Sequence, residues 1–151
     1  MRRTLTLLAT LVALLATAVP AAAITTAEAT IDVHSTFSET GGGTFTADNA
    51  LLCESGATSD VTIIAGNGRT ITFHNLKTFT CADGSGTFTL RLQAQVKPCD
   101  ANTRGVWSVA DGTGEYDGLH GNGKLVGTYY PDDACSAEGI DDHLTGVLRL
   151  P

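Results

Sequence analysis

Glu115, Asp117 and His120 are the residues of this chain best spaced for proton transfer, three ionisable side chains within one short glycine-rich stretch. Two carboxyl groups act as an acid–base pair when one pKa is raised and the other is not. Nothing in the sequence shows that these groups are buried or converge, so solvated turn carboxylates compete with Glu115 as a catalytic acid or base. His74, beside Asn75, is the second catalytic candidate, as a polar group that could line a cavity. His34 and His143 have no spacing that suggests shared ligation and read as strand-surface or loop positions.

Other chemistries are weaker. Asp111, Glu115 and Asp117, and separately Asp132, Asp133, Asp141 and Asp142, are rich in oxygen ligands. The calcium loop pattern with its twelfth-position glutamate is absent, because Thr113 and Asn122 occupy key places. Gly112-x-Gly114 opens no helix and so has no phosphate-binding helix terminus behind it. Ser85 in Gly84-Ser85-Gly86 is a polar turn and not a nucleophile elbow. The four cysteines, 53, 81, 99 and 135, contain no C-x-x-C pair, which argues against zinc. They suit disulfides, and of the three connectivities the local one is expected, Cys53–Cys81 with Cys99–Cys135. No metal and no cofactor is expected.

These residues need elements to position them, and the elements are strands. Residues 87–96 alternate strictly: Phe88, Leu90, Leu92, Ala94 and Val96 share one face, while Thr87, Thr89, Arg91, Gln93 and Gln95 share the other. That predicts a long antiparallel strand with one buried face. Ile31–Phe37 and Asp60–Ile64 repeat the pattern more briefly. In 69–81, Asn75 and Lys77 sit on the same face as Ile71, Phe73, Phe79 and Cys81, which calls for a bulge near Asn75 or for a polar interior there. Glycine and Asx-Gly turns recur at 41–43, 66–68, 83–86 and 111–112, and no helical period appears. Short strands with regular turns argue for an all-β sandwich or closed barrel of roughly seven to nine strands.

The first residues look like an address label. Met1-Arg2-Arg3, the apolar run Leu5–Val19, Pro20 and Ala21-Ala22-Ala23 form the pattern of a cleaved, helical secretory signal peptide. A signal peptide at 1–23 and one β domain at 24–151 are therefore expected, with a secreted, extracellular location. Loss of Arg2 and Arg3 would take the net charge from −7 to −9. Such acidity argues against nucleic acid and anionic membrane surfaces as partners.

The run Gly112-Thr113-Gly114-x-Tyr116-x-Gly118-Leu119-x-Gly121-x-Gly123 resembles the hairpin signature of allene oxide cyclase-like barrels, and plant dirigent proteins carry a related pattern. Leu52-Cys53-x-x-Gly56 followed by Phe79-Thr80-Cys81-x-Asp83-Gly84-Ser85-Gly86-Thr87-Phe88 is similar to small secreted bacterial proteins of that barrel class. The resemblance implies a single antiparallel barrel of about eight strands, whose interior in some relatives holds a hydrophobic ligand. Physically the glycines need no ligand, since closing a small barrel calls for kinks and bulges. Gly112 and Gly114 would permit the turn, Tyr116 would cover its base, and Gly118, Gly121 and Gly123 would allow a bulged return strand.

Three functions follow as expectations. The first is non-enzymatic binding of a small apolar molecule or an extracellular partner, in a cavity lined by Phe73, Leu90, Leu92, Trp107 and Tyr116. The second is an isomerase or cyclase using that cavity, with polar help from His74, Asn75 or Glu115. The third is a disulfide-stapled inhibitor or surface structural protein acting through the loops around Cys99 and Cys135. The ligand and the oligomeric state are not encoded in any of these patterns.

Overall fold

Alternating inward and outward side chains, broken by glycine turns, leave this chain one economical way to bury its apolar face: a sheet curled onto itself. The computed structural model describes residues 23–37, 42–66 and 69–151, so the expected signal peptide lies almost wholly outside the described residues. Eight strands follow in order: β1 (Thr25–Thr36), β2 (Gly42–Asp48), β3 (Ser55–Gly66), β4 (Ile71–Cys81), β5 (Gly86–Val96), β6 (Asn102–Gly114), β7 (His120–Tyr130) and β8 (Gly139–Leu150). Each pairs antiparallel with its sequence neighbours, and β8 returns to β1, closing the barrel. The closing seam is long, from Thr25↔Leu150 to Thr36↔Gly139. No helix among the described residues is long and apolar enough to cross a membrane.

One end of the barrel is plugged by rings. Phe79 and Phe88 stack at 4.6 Å, and Phe45 meets both edge-on. Tyr116, from the β6–β7 turn, lays its ring against Phe88. Its hydroxyl accepts the Cys53 amide at 3.0 Å and lies 2.8 Å from Ser85 Oγ. The Cys53–Cys81 disulfide ties this end, and Cys99–Cys135 ties the loops at the other, the connectivity expected. In the loop-entropy account each contributes about 3.5–4 kcal/mol.

Halfway along, Trp107 fills the lumen. It does so because β7 and β8 offer no side chains there: a Cβ on Gly123 would stand 2.6 Å from the indole, and one on Gly146 only 2.5 Å. The glycine run thus works differently from the expected bulged return strand. Gly114 and Gly118 take positive φ in the turn, whereas Gly123 sits in an unbroken ladder and makes room for Trp107. The register shift lies instead in the β5–β6 pair, where Thr89 faces Asp111 and Leu90 faces Val109, leaving Ala110 as the extra residue.

Two strands settle open or mistaken expectations. β4 has no bulge: its pairing with β3 and β5 is continuous, so Asn75 and Lys77 point inward and the interior there is polar. In β3 the face is opposite to the one its apolar alternation suggests. Asp60 and Thr62 point into the barrel, while Val61 and Ile63 face out, each 68% exposed. A one-residue slip would bury both, because side-chain period in a strand is two. It would also take Asp60 away from its partner Lys77, which fixes the observed register.

Candidate functional site

The end of the barrel opposite the ring plug is open. Inward positions of β1, β3, β4, β5, β7 and β8 surround a cavity of about 640 Å³. Its walls are largely apolar, from Ile64, Ile71, Phe73, Leu92, Val96 and Ile140, and its floor is charged. Ala134, next to the Cys99–Cys135 disulfide, reaches the rim.

The floor is built around Lys77, a lysine only 2% exposed. Its Nζ donates to Ser35 Oγ at 3.0 Å and to Asp60 Oδ2 at 3.1 Å, and lies 3.8 Å from Asp142 Oδ2. Asn75 Nδ2 donates to the second oxygen of Asp60 at 2.9 Å. Burial of an ion is costly unless it is both paired and hydrogen-bonded, and Lys77 meets both conditions. Satisfaction is not complete. Asn75 Oδ1 and Thr58 Oγ1 are buried with no hydrogen-bond partner among the described residues.

Two carboxylates face one ammonium, and the imbalance falls on Asp142. Burial pushes its pKa up to about 6; Lys77 opposes that rise, and Asp60 and Asp141 add to it. Tyr129, on the neighbouring strand, is pushed up to about 12, by burial first and then by the charge of Asp142. The arrangement therefore offers one group that exchanges a proton near neutral pH, beside a lysine committed to ion pairs and a phenol that stays neutral.

Of the residues proposed from sequence to line a cavity, Phe73 and Leu92 do so. Leu90 and Trp107 are packed within the core, and Tyr116 belongs to the ring plug at the far end. All lie inside the barrel; alternation identifies a face but not a depth along the axis. Asn75 borders the cavity. His74 does not, because its neighbours on β4 point inward and it points out, exposed. Glu115, Asp117 and His120 are exposed around the β6–β7 turn, across the barrel from the cavity.

The sequence placed Lys77 on an inward face and Asp142 in an acidic loop, but it joined neither to Asp60, Ser35 or Tyr129. The one signal that pointed to them was the polar interruption at Asn75 and Lys77, whose partners lie on other strands. On the outer surface, the β1–β8 register brings His34 against Asp141 and His143 against Asp32, both at 2.6 Å. Tyr130 stacks on His34 at 5.0 Å. The acidic loop does not converge: Asp133 accepts the amides of Cys135 and Ser136, Asp141 faces out and Asp142 in. Among the described residues, the one group of potential metal ligands close enough to share an ion is Cys99, Asp133 and Cys135, and its two cysteines are bonded to each other.

Compared with protein-family models, with curated proteins and with solved structures, the chain finds no match in any of the three.

Proposed function

We propose that this protein is a secreted, non-enzymatic barrel that holds a small, mostly apolar molecule in the cavity at its open end. The observation that carries this is the contrast inside one lumen, solid at one end and hollow at the other, with the hollow walled by Phe73, Leu92, Val96 and Ile71. About 640 Å³ falls within the ~300–1,000 Å³ typical of small-molecule sites, which pair apolar walls with a few convergent polar groups. The Lys77 cluster supplies those groups and would orient a polar end of the ligand. Secretion is supported by the apolar leader Leu5–Val19 and by two disulfides, which persist in oxidising compartments. The likeness of the Gly112–Gly123 run to allene oxide cyclase-like barrels agrees with the strand count, but fold alone assigns no activity.

A second reading rests on the placing of Asp142, a buried carboxyl group on the cavity floor 3.8 Å from Lys77 Nζ, whose pKa burial pushes up to about 6. An isomerase using this lumen would draw on Asp142 and Asn75, and not on His74 or Glu115. Native mass spectrometry of protein purified from culture medium, followed by calorimetric titration with decanol, tests the binding proposal. Retained mass or a saturable heat is expected, and Ile64→Trp, at an exposed position whose side chain borders the cavity, should weaken it while circular dichroism shows the barrel still folded. Absence of both in the wild type would refute cavity binding.

A further inference from the structure

The charged floor of the cavity does not present its two signs equally. Its cation lies deepest: the Lys77 side chain is 2% exposed, against 8% for Asp142 and 16% for Asp60. Two of the three ammonium protons are engaged, by Ser35 Oγ at 3.0 Å and Asp60 Oδ2 at 3.1 Å. Asn75 donates its Nδ2 to Asp60, and its Oδ1 is buried. Asp142 is held less well. Lys77 Nζ stands 3.8 Å from it, too far for a hydrogen bond, and among the described residues no other donor reaches its carboxylate. An enclosed carboxylate without hydrogen bonds is costly. Burial accordingly pushes its pKa up to about 6, with Lys77 opposing the rise and Asp60 and Asp141 adding to it. Asp60, Lys77 and Asp142 are the only charged side chains among the described residues lining the cavity, and Tyr129 there stays a neutral phenol. Above pH ~6 the floor therefore carries two negative charges against one positive, with the positive one underneath.

We infer that the cavity selects an apolar molecule ending in an ammonium group, a lipophilic primary amine, and turns away the carboxylic acid of the same length. This selection presupposes the cavity binding proposed above and adds the chemistry of the ligand's polar end. An ammonium at the floor would give Asp142 the hydrogen bonds it lacks, and would balance two anions with two cations. An alcohol would supply one donor and no charge. A carboxylate would set a third anion beside two that already share one lysine. That repulsion is strong where apolar walls exclude water and lower the dielectric. The walls themselves do not discriminate, because Ile71, Phe73, Leu92 and Val96 meet the same tail on all three ligands. The head group decides.

Calorimetric titration with decylamine, decanol and decanoate, each below its micelle threshold, tests this. At pH ~8 the amine is a cation, the acid an anion and Asp142 ionised. Wild-type protein should bind decylamine about tenfold tighter than decanol, and decanoate more weakly than either. Asp142→Asn should remove most of the amine's advantage over the alcohol. Asp141→Asn deletes the same charge from the outer face, one residue away, and should leave that advantage intact. This pair separates the floor from the general attraction of an acidic protein for cations. Circular dichroism checks that both variants fold, and the ordering in the wild type is a test independent of them. Decanoate binding as tightly as decylamine overturns the inference while leaving cavity binding in place. An amine preference that survives Asp142→Asn, or that falls equally with Asp141→Asn, overturns it too, by placing the selectivity outside the floor. If none of the three ligands binds, cavity binding itself fails and the selection falls with it.

Discussion

The two ends of the barrel are made from the same strands, with the same inward parity, and they solve opposite problems. At the plugged end, Phe45, Phe79, Phe88 and Tyr116 meet ring against ring and the lumen is full. At the open end, buried charge replaces the rings and the lumen is hollow. β4 crosses the divide most legibly. Reading inward positions from Cys81 toward Ile71, it passes a disulfide, an aromatic plug, an ammonium, an amide and then two apolar wall residues. What separates the packed core from the hollow lumen in this molecule is thus depth along the axis.

The comparison can be broken most forcefully with two identical truncations on that one strand. Phe79→Ala should cost about 3–5 kcal/mol, because it opens a void among packed rings. Phe73→Ala should cost below about 2 kcal/mol, because it enlarges a cavity already present. Urea denaturation of both variants measures the gap, and equal losses would mean that the open end is as tightly packed as the plug. Next in size is Lys77→Met. Removing one partner of a buried ion pair strands the other, so this change should destabilise the barrel by about 3 kcal/mol at neutral pH. Adding Asp60→Asn and Asp142→Asn should recover much of that loss, which scanning calorimetry would register.

The smallest effect depends on pH. Asp142 has a folded-state pKa of about 6, above its usual 3.8. Its contribution to stability is therefore fully present below pH ~4 and is lost as pH rises through ~6. Between those limits the stability of the wild type relative to Asp142→Asn should fall by about 2–3 kcal/mol. A difference independent of pH would show that Lys77 neutralises Asp142 fully.

Much of the architecture was legible in the alternation of residues 87–96, since Phe88, Leu90, Leu92, Ala94 and Val96 are all buried in β5. The polar break at Asn75 and Lys77 likewise marked the level of the charged floor. Asp60–Ile64 misled because Val61 and Ile63 face outward while Asp60 and Thr62 face in. The parity of β3 is set by a partner seventeen residues away in sequence, Lys77, and no local pattern carries that information. Cavity residues were harder still. Trp107 and Phe73 are indistinguishable by alternation, yet one fills the lumen and the other borders the cavity. The role of Gly123 became readable only with the indole of Trp107 against it.

That indole has a further use. Trp107 is the sole tryptophan of the chain, buried at mid-height, its Nε1 donating to the Thr145 carbonyl at 3.2 Å. It is held by β6, by the gaps in β7 and β8, and by nothing at the rim. Its emission therefore reports optically on the seam that keeps these three strands together, with no label added. A colour change on unfolding therefore marks the parting of β6 from the strands that close the barrel around it.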